Sequence, residues 1–236
     1  MNRMSFILVA LIAATGFSVM GFFIGDGLRH IKTNDRYVNV RGLSEHEVTA
    51  DTAKLTVDIQ HAGNEPKDIY PFMTDTQKQV LTFLQGEGLK DEEIDVGQWE
   101  TLRTSSEDLK NQPSLPHNTM TGLITITTRN IKAAQSIYKK INDLRIKTNG
   151  DVGDATISYK FTELAPLRAE MIAAATKDAR NAALQFAQDS GSKVGSIRNA
   201  SQGAFEITAP GQDSDDPQSI RKNVRVVTTV DYELKD

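Results

Sequence analysis

Between residues 53 and 62 apolar and polar positions alternate, with Leu55, Val57 and Ile59 on one side and Lys54, Thr56, Asp58 and Gln60 on the other. A period of two predicts a strand with one buried face, because successive side chains of an extended chain point to opposite sides. The same pattern predicts a strand over 37–43, where Val38 and Val40 oppose Tyr37, Asn39 and Arg41, and further strands over 94–102, 122–129, 155–161, 194–207 and 224–234. His46 then falls in the turn after the first strand.

Three stretches change to helical spacing. Ile69, Phe72, Met73, Val80, Leu81 and Leu84 predict an amphipathic helix, with Asn64 as its upstream cap and Gly86 and Gly88 as its stop. Pro71 must lie in its first turn or kink it. Asn130 is placed to cap a second helix whose stripe is Ile131, Ala134, Ile137, Ile141 and Leu144. The third and longest carries Leu164, Leu167, Met171, Ala175, Ala179, Ala182, Ala183 and Phe186, with Thr162 as cap, Pro166 in its first turn and Gly191 closing it. So many alanines imply close approach to a neighbour, either the sheet of the same domain or a helix of another subunit. Residues 104–118, rich in Ser, Pro and Asn, read as a mobile loop, and residues 210–219 as an acidic turn.

The order ββα ββα βα ββ predicts an α+β fold of largely antiparallel sheets with packed helices over residues 37–236, divisible into lobes at 37–150 and 151–236. Ahead of it, residues 4–24 run without a charge. As a helix rising ~1.5 Å per residue, this stretch roughly matches a ~30 Å hydrocarbon core. It predicts one N-terminal transmembrane helix, with residues 1–3 cytoplasmic and residues 25–36 as a polar tether. The alternative is a secretory signal cleaved after Ser18, which would leave Val19, Met20, Phe22, Phe23 and Ile24 on a water-exposed terminus. Local charge leans the other way for export, with Arg3 on one side against Arg29, Lys32 and Arg36 on the other.

Composition narrows the chemistry. A net charge of −4 gives no reason to expect nucleic-acid binding, and the absence of cysteine removes disulfides, thiolate metal sites and a cysteine nucleophile. Gly191-Ser192-Lys193-Val194-Gly195 has its serine in the wrong place for a nucleophile elbow. Of the four histidines, His30, His46, His61 and His117, none stands four residues from another, which excludes a helical metal pair. Asp213, Asp215 and Asp216 lack the glycine and glutamate of a calcium loop and read as a solvated turn. Trp99 reads as a sheet-face or core residue. No catalytic, cofactor-binding or metal-binding residue is assigned.

Residues Asp35-Arg36-Tyr37-Val38-Asn39-Val40-Arg41-Gly42-Leu43-Ser44-Glu45, followed by Ala50-Asp51-Thr52-Ala53, resemble the opening of a SIMPL domain, with Ala50 where many members have proline. Asp178-Ala179-Arg180-Asn181-Ala182-Ala183, the Gly191 exit and the closing 224–234 strand are similar to the later parts of that family. With the apolar N-terminal segment, the resemblance is to its membrane-anchored bacterial branch. It implies an inner-membrane protein with its C-terminal domain in the periplasm, linked to envelope or oxidative stress and assembling as a homo-oligomer. It carries no catalytic motif. The expected function is therefore a non-catalytic assembly or interaction module without a cofactor. The alternative is an enzyme or small-molecule-binding protein with a loop-built site, for instance around Glu45, His46 and Glu47.

Overall fold

The computed structural model describes residues 14–25 and 36–235. Residues 14–25 form a helix, α1, whose side chains are all exposed, including Phe17, Met20, Phe22, Phe23 and Ile24. Twelve residues rise about 18 Å, and no helix among the described residues is long and apolar enough to cross a membrane. The first ten residues of the expected anchor, and residues 26–35 of the tether, lie outside the described residues.

The elements that follow are β1 (Tyr37–Thr49), β2 (Thr52–Gly63), α2 (Pro66–Gly86), a 3-10 turn (Asp91–Glu93), β3 (Ile94–Val96), β4 (Glu100–Arg103), α3 (Ser106–Asn111), β5 (Asn118–Thr128), α4 (Ile131–Lys147), β6 (Val152–Lys160), α5 (Ala165–Asp189), β7 (Lys193–Gln202), β8 (Glu206–Thr208) and β9 (Arg221–Lys235). All the strand pairs with a defined register are antiparallel. The fold is α+β, as the pattern predicts. The chain forms two compact units, one comprising Met1–Glu45, Ala169–Phe205 and Arg225–Asp236, the other His46–Arg168 and Glu206–Val224.

The second of these contains a five-stranded sheet in the order β3-β5-β2-β6, with β4 also paired to β5. β2 is its centre: Leu55 pairs with Ile126 on one side and Ile157 on the other. Leu55, Val57 and Ile59 are fully buried beneath α2 and α4, together with Ile69, Met73, Val80, Leu84, Ile137 and Ile141. Each such side chain stabilises by roughly 1.5–3 kcal/mol relative to an exposed one. α2 starts on Pro66, whose fixed φ suits a first turn, and it continues through Pro71 in its second turn.

Several local expectations fail here for identifiable reasons. Asn64 does not cap α2, because its carbonyl accepts from Asn118 Nδ2 at 2.7 Å and its Oδ1 from the His117 N–H at 3.4 Å. Residues 94–102 are two short strands separated at Gly97, whose own N–H donates to the Leu123 carbonyl. The expected mobile loop over 104–118 contains α3, capped by Ser105 Oγ accepting from the Asp108 N–H at 3.1 Å. Asn130 does cap α4, accepting from the Ala133 N–H at 3.1 Å.

The other unit is built on strands in the order β1-β9-β7. α5 covers them with Met171, Ala175, Ala179, Ala183 and Ala187, all buried, while Phe186, expected on the same stripe, is exposed. Gly42 explains the alanines. A Cβ at Gly42 would lie 1.9 Å from the Ala175 carbonyl oxygen and 2.3 Å from the Ala179 nitrogen, so β1 rests directly on helix backbone. The contact is tied by the Leu43 N–H donating to Asp178 Oδ2 at 3.0 Å. The alanine stripe thus packs on the sheet of its own unit. α5 ends at Gly191, whose φ of 68° suits a residue without a side chain.

Candidate functional site

His61 extends the buried face of β2 by one further step, where the sheet meets α2. Facing it is Asp151, delivered by a turn in which Asn149 and Gly150 both have positive φ. His61 Nδ1 lies 2.8 Å from Asp151 Oδ1, with both side chains mostly buried. The other carboxylate oxygen accepts from Thr76 Oγ1 at 3.2 Å, and the Phe72 ring stacks on the imidazole at 4.3 Å and 11°. Phe72 and Thr76 are one turn apart on α2, so one helix face supplies both contacts. The Asp151 carbonyl accepts from the Gln60 N–H at 2.7 Å.

An imidazole oriented by a carboxylate is the base half of a nucleophilic set, which also requires a nucleophile in reach of the second ring nitrogen. Thr76 gives its proton to Asp151 instead, and no hydrogen bond among the described residues reaches that nitrogen. The cluster pins α2 and the α4–β6 turn to the sheet and leaves one nitrogen uncommitted. Sequence spacing could not reveal it, since His61 and Asp151 are 90 positions apart.

On the opposite face of this sheet are two shallow cavities sharing Asp58 and Gln60. One, of about 410 Å³, is also lined by Gln98, Glu100 and Thr121; the other, of about 330 Å³, by Arg145 and Asp154.

The other nominated residues do not converge. His46 lies within β1 rather than in a turn after it, and strand alternation points it away from Glu45 and Glu47. Glu45 Oε1 stands 3.7 Å from Arg225 Nε. Asp215 and Asp216 belong to the loop before β9, where Lys222 is fully buried and its Nζ donates to Asp215 Oδ1 at 2.6 Å and to the Asp216 carbonyl at 2.8 Å. The acidic loop is therefore the partner of an interior lysine, and Asp213 remains exposed. No group of His, Cys, Asp or Glu suited to a metal ion occurs among the described residues. Ser192 Oγ accepts from Arg36 at 3.4 Å. Trp99 covers Gly122 and donates Nε1 to Gln77 Oε1 at 3.0 Å. His117 is exposed, and His30 lies outside the described residues.

Asp51 has a role that spacing alone did not disclose. Its carboxylate accepts from the N–H groups of Thr162 and Glu163 and from the hydroxyls of Thr162 and Thr52, all within 2.7–2.8 Å. Partial burial pushes the carboxyl up, but these four bonds outweigh it and hold Asp51 below the usual aspartate value. Thr162 is thereby committed to Asp51 rather than to capping α5. The aspartate clamps the β6–α5 connection to the start of β2.

A family model described as "SIMPL: Protein of unknown function (DUF541)" matches residues 38–232. No curated protein matches the chain. Among solved structures, a hydrolase from Listeria innocua is 11% identical, covering 78% of this chain and 90% of its own, at a TM-score of 0.26. An uncharacterized conserved protein from Listeria innocua is 8% identical, covering 78% and 91%, at a TM-score of 0.24. At such scores neither bears on the chemistry of this chain. The family match spans both units, from the β1 strand that carries Gly42 to Tyr232 near the end of β9, and by it the chain belongs to the SIMPL family.

Proposed function

We propose that this protein is a membrane-tethered, non-catalytic assembly module of the bacterial cell envelope, belonging to the membrane-anchored branch of its family. Residues 4–24 would form the inner-membrane anchor, with the remainder in the periplasm and a role in envelope or oxidative stress. The observation that carries this reading is α1. Phe17, Phe22 and Phe23 are at least 70% exposed, on a helix continuous in sequence with an uncharged run. Six large apolar side chains over residues 17–24 favour a hydrocarbon environment over water.

Assembly draws support from β7. Among the described residues it pairs only with β9, and most of its side chains are exposed on both faces, so its outer row of N–H and C=O groups is suited to receive a strand of a second copy.

Native mass measurement of the detergent-extracted full-length chain tests both parts. The expected result is retention in the membrane fraction after an alkaline wash and a defined multimer in detergent. A chain that the wash releases, or that stays monomeric at every concentration, overturns the corresponding part. A phosphatase fusion after Asp236 should be active on the periplasmic side; activity only in the cytoplasm refutes the orientation.

A further inference from the structure

The unit containing α5 has a cavity of about 560 Å³ between that helix and the β7–β9 pair. Thr176, Lys177 and Arg180 line it from the helix, Gly195 and Ile197 from β7, and Tyr232 from β9. Lys177 and Arg180 are three residues apart, hence neighbours on one helix surface. Neither has a hydrogen-bond or ion-pair partner among the described residues.

The nearby carboxylates are engaged elsewhere. Asp178 accepts from the Leu43 N–H, Asp231 from Asn39 Nδ2 at 2.5 Å, and Glu233 from Ser196 Oγ at 2.8 Å. Those bonds come from neutral donors and hold the carboxylates in place, and none of the three forms an ion pair with Lys177 or Arg180.

Tyr232 adds a polar group to the cavity wall. It is only 3% exposed, its ring packs in the core with Ala179 and Ala183, and its hydroxyl makes no hydrogen bond among the described residues. The hydroxyl is not one of the buried side-chain atoms left without a partner, so it reaches the open cavity and is available there as a donor. The β7 backbone is irregular at this place, with register shifts between Val194 and Ile197. Gly195 sits in that irregularity, where a Cβ would crowd Glu233 and Lys235 at 3.1 Å. Strand bulges of this kind recur beside binding sites.

We propose that this cavity binds a phosphate group, borne either by a small anion or by the headgroup of an anionic lipid. Lys177 supplies a point charge, Arg180 a planar fork matched to two phosphate oxygens, and Tyr232 a neutral donor from below. Ile197, half exposed at the rim, lies against the apolar part of a phosphodiester. The site does not depend on the membrane anchor.

The test is calorimetric titration of the full-length chain in neutral detergent with inorganic phosphate and with dihexanoyl phosphatidylglycerol, at low and high salt. Saturable binding of at least one of them is expected, weakening as salt rises. The exposed-residue variant K177Q/R180Q should weaken it by about tenfold or more, and Y232F, which keeps the ring, by about threefold. Tighter binding of the lipid assigns the phosphate to a headgroup, and equal binding assigns it to a free anion. Absence of saturable binding by either probe overturns the proposal, as does wild-type affinity in K177Q/R180Q. Should Y232F fail to fold, the double variant decides alone, since both of its positions are exposed.

Discussion

Replacing Gly42 with alanine is the sharpest perturbation the fold offers. The new Cβ would start 1.9 Å from the Ala175 oxygen and 2.9 Å from the Ala179 Cα, whereas real Cβ contacts essentially never fall below 3.0 Å. Strand and helix must separate by at least about 1.1 Å, the difference between 3.0 and 1.9 Å. That shift loosens Ala175, Ala179 and Ala183 together and stretches the Leu43–Asp178 hydrogen bond. Overpacking typically costs 1–3 kcal/mol and a lost charge-assisted bond adds more, so a loss of about 3 kcal/mol is expected. For a chain of this size that lowers Tm by roughly 6–12 °C. Thermal unfolding of the detergent-solubilised protein, followed by circular dichroism, measures it. Because the obstacle is backbone, adding A175G or A179G to G42A should restore nothing. Wild-type stability of G42A, or rescue by either glycine, would refute the proposed direct contact.

Asp51 predicts a pH signature. Its carboxyl is held below 3.8, so its contribution is present above that value and disappears as pH falls through the lower folded-state value. D51N should lose about 1–3 kcal/mol at neutral pH and show a flatter acid limb; an unchanged limb in urea titrations across pH 2–6 argues against the clamp. D215A should strand the buried Lys222 ammonium and cost about 3–5 kcal/mol, while K222M should be much milder; equal losses in denaturant melts would contradict the interior pairing. D151A should orphan the buried Thr76 hydroxyl and cost about 1–3 kcal/mol, which T76V in the same background should partly recover.

The sequence by itself determined what depends on neighbours along the chain. Alternation at Leu55, Val57 and Ile59 marks the strand and its buried face, because side-chain direction is a local property of extended backbone. Asn130 as a cap and Gly191 as a helix stop follow from the same short-range geometry. The α+β class follows from the order of those elements. Ser105-x-x-Asp108 carries a cue of this kind for α3, which the loop expectation over 104–118 leaves out.

Only the tertiary structure decided which distant residues meet. Asp151 reaches His61 across 90 positions, Asp51 reaches Thr162 across 111, and Lys222 is buried because an acidic loop folds over it. Asn64 and Thr162 looked like caps, but their polar groups answered to partners far away in sequence. Phe72 and Phe186 carried helical spacing yet remain exposed, since spacing sets a helix face but not what covers it. The phosphate cavity has the same origin: Lys177, Arg180 and Tyr232 form no motif, and their common direction exists only once α5 lies on β9.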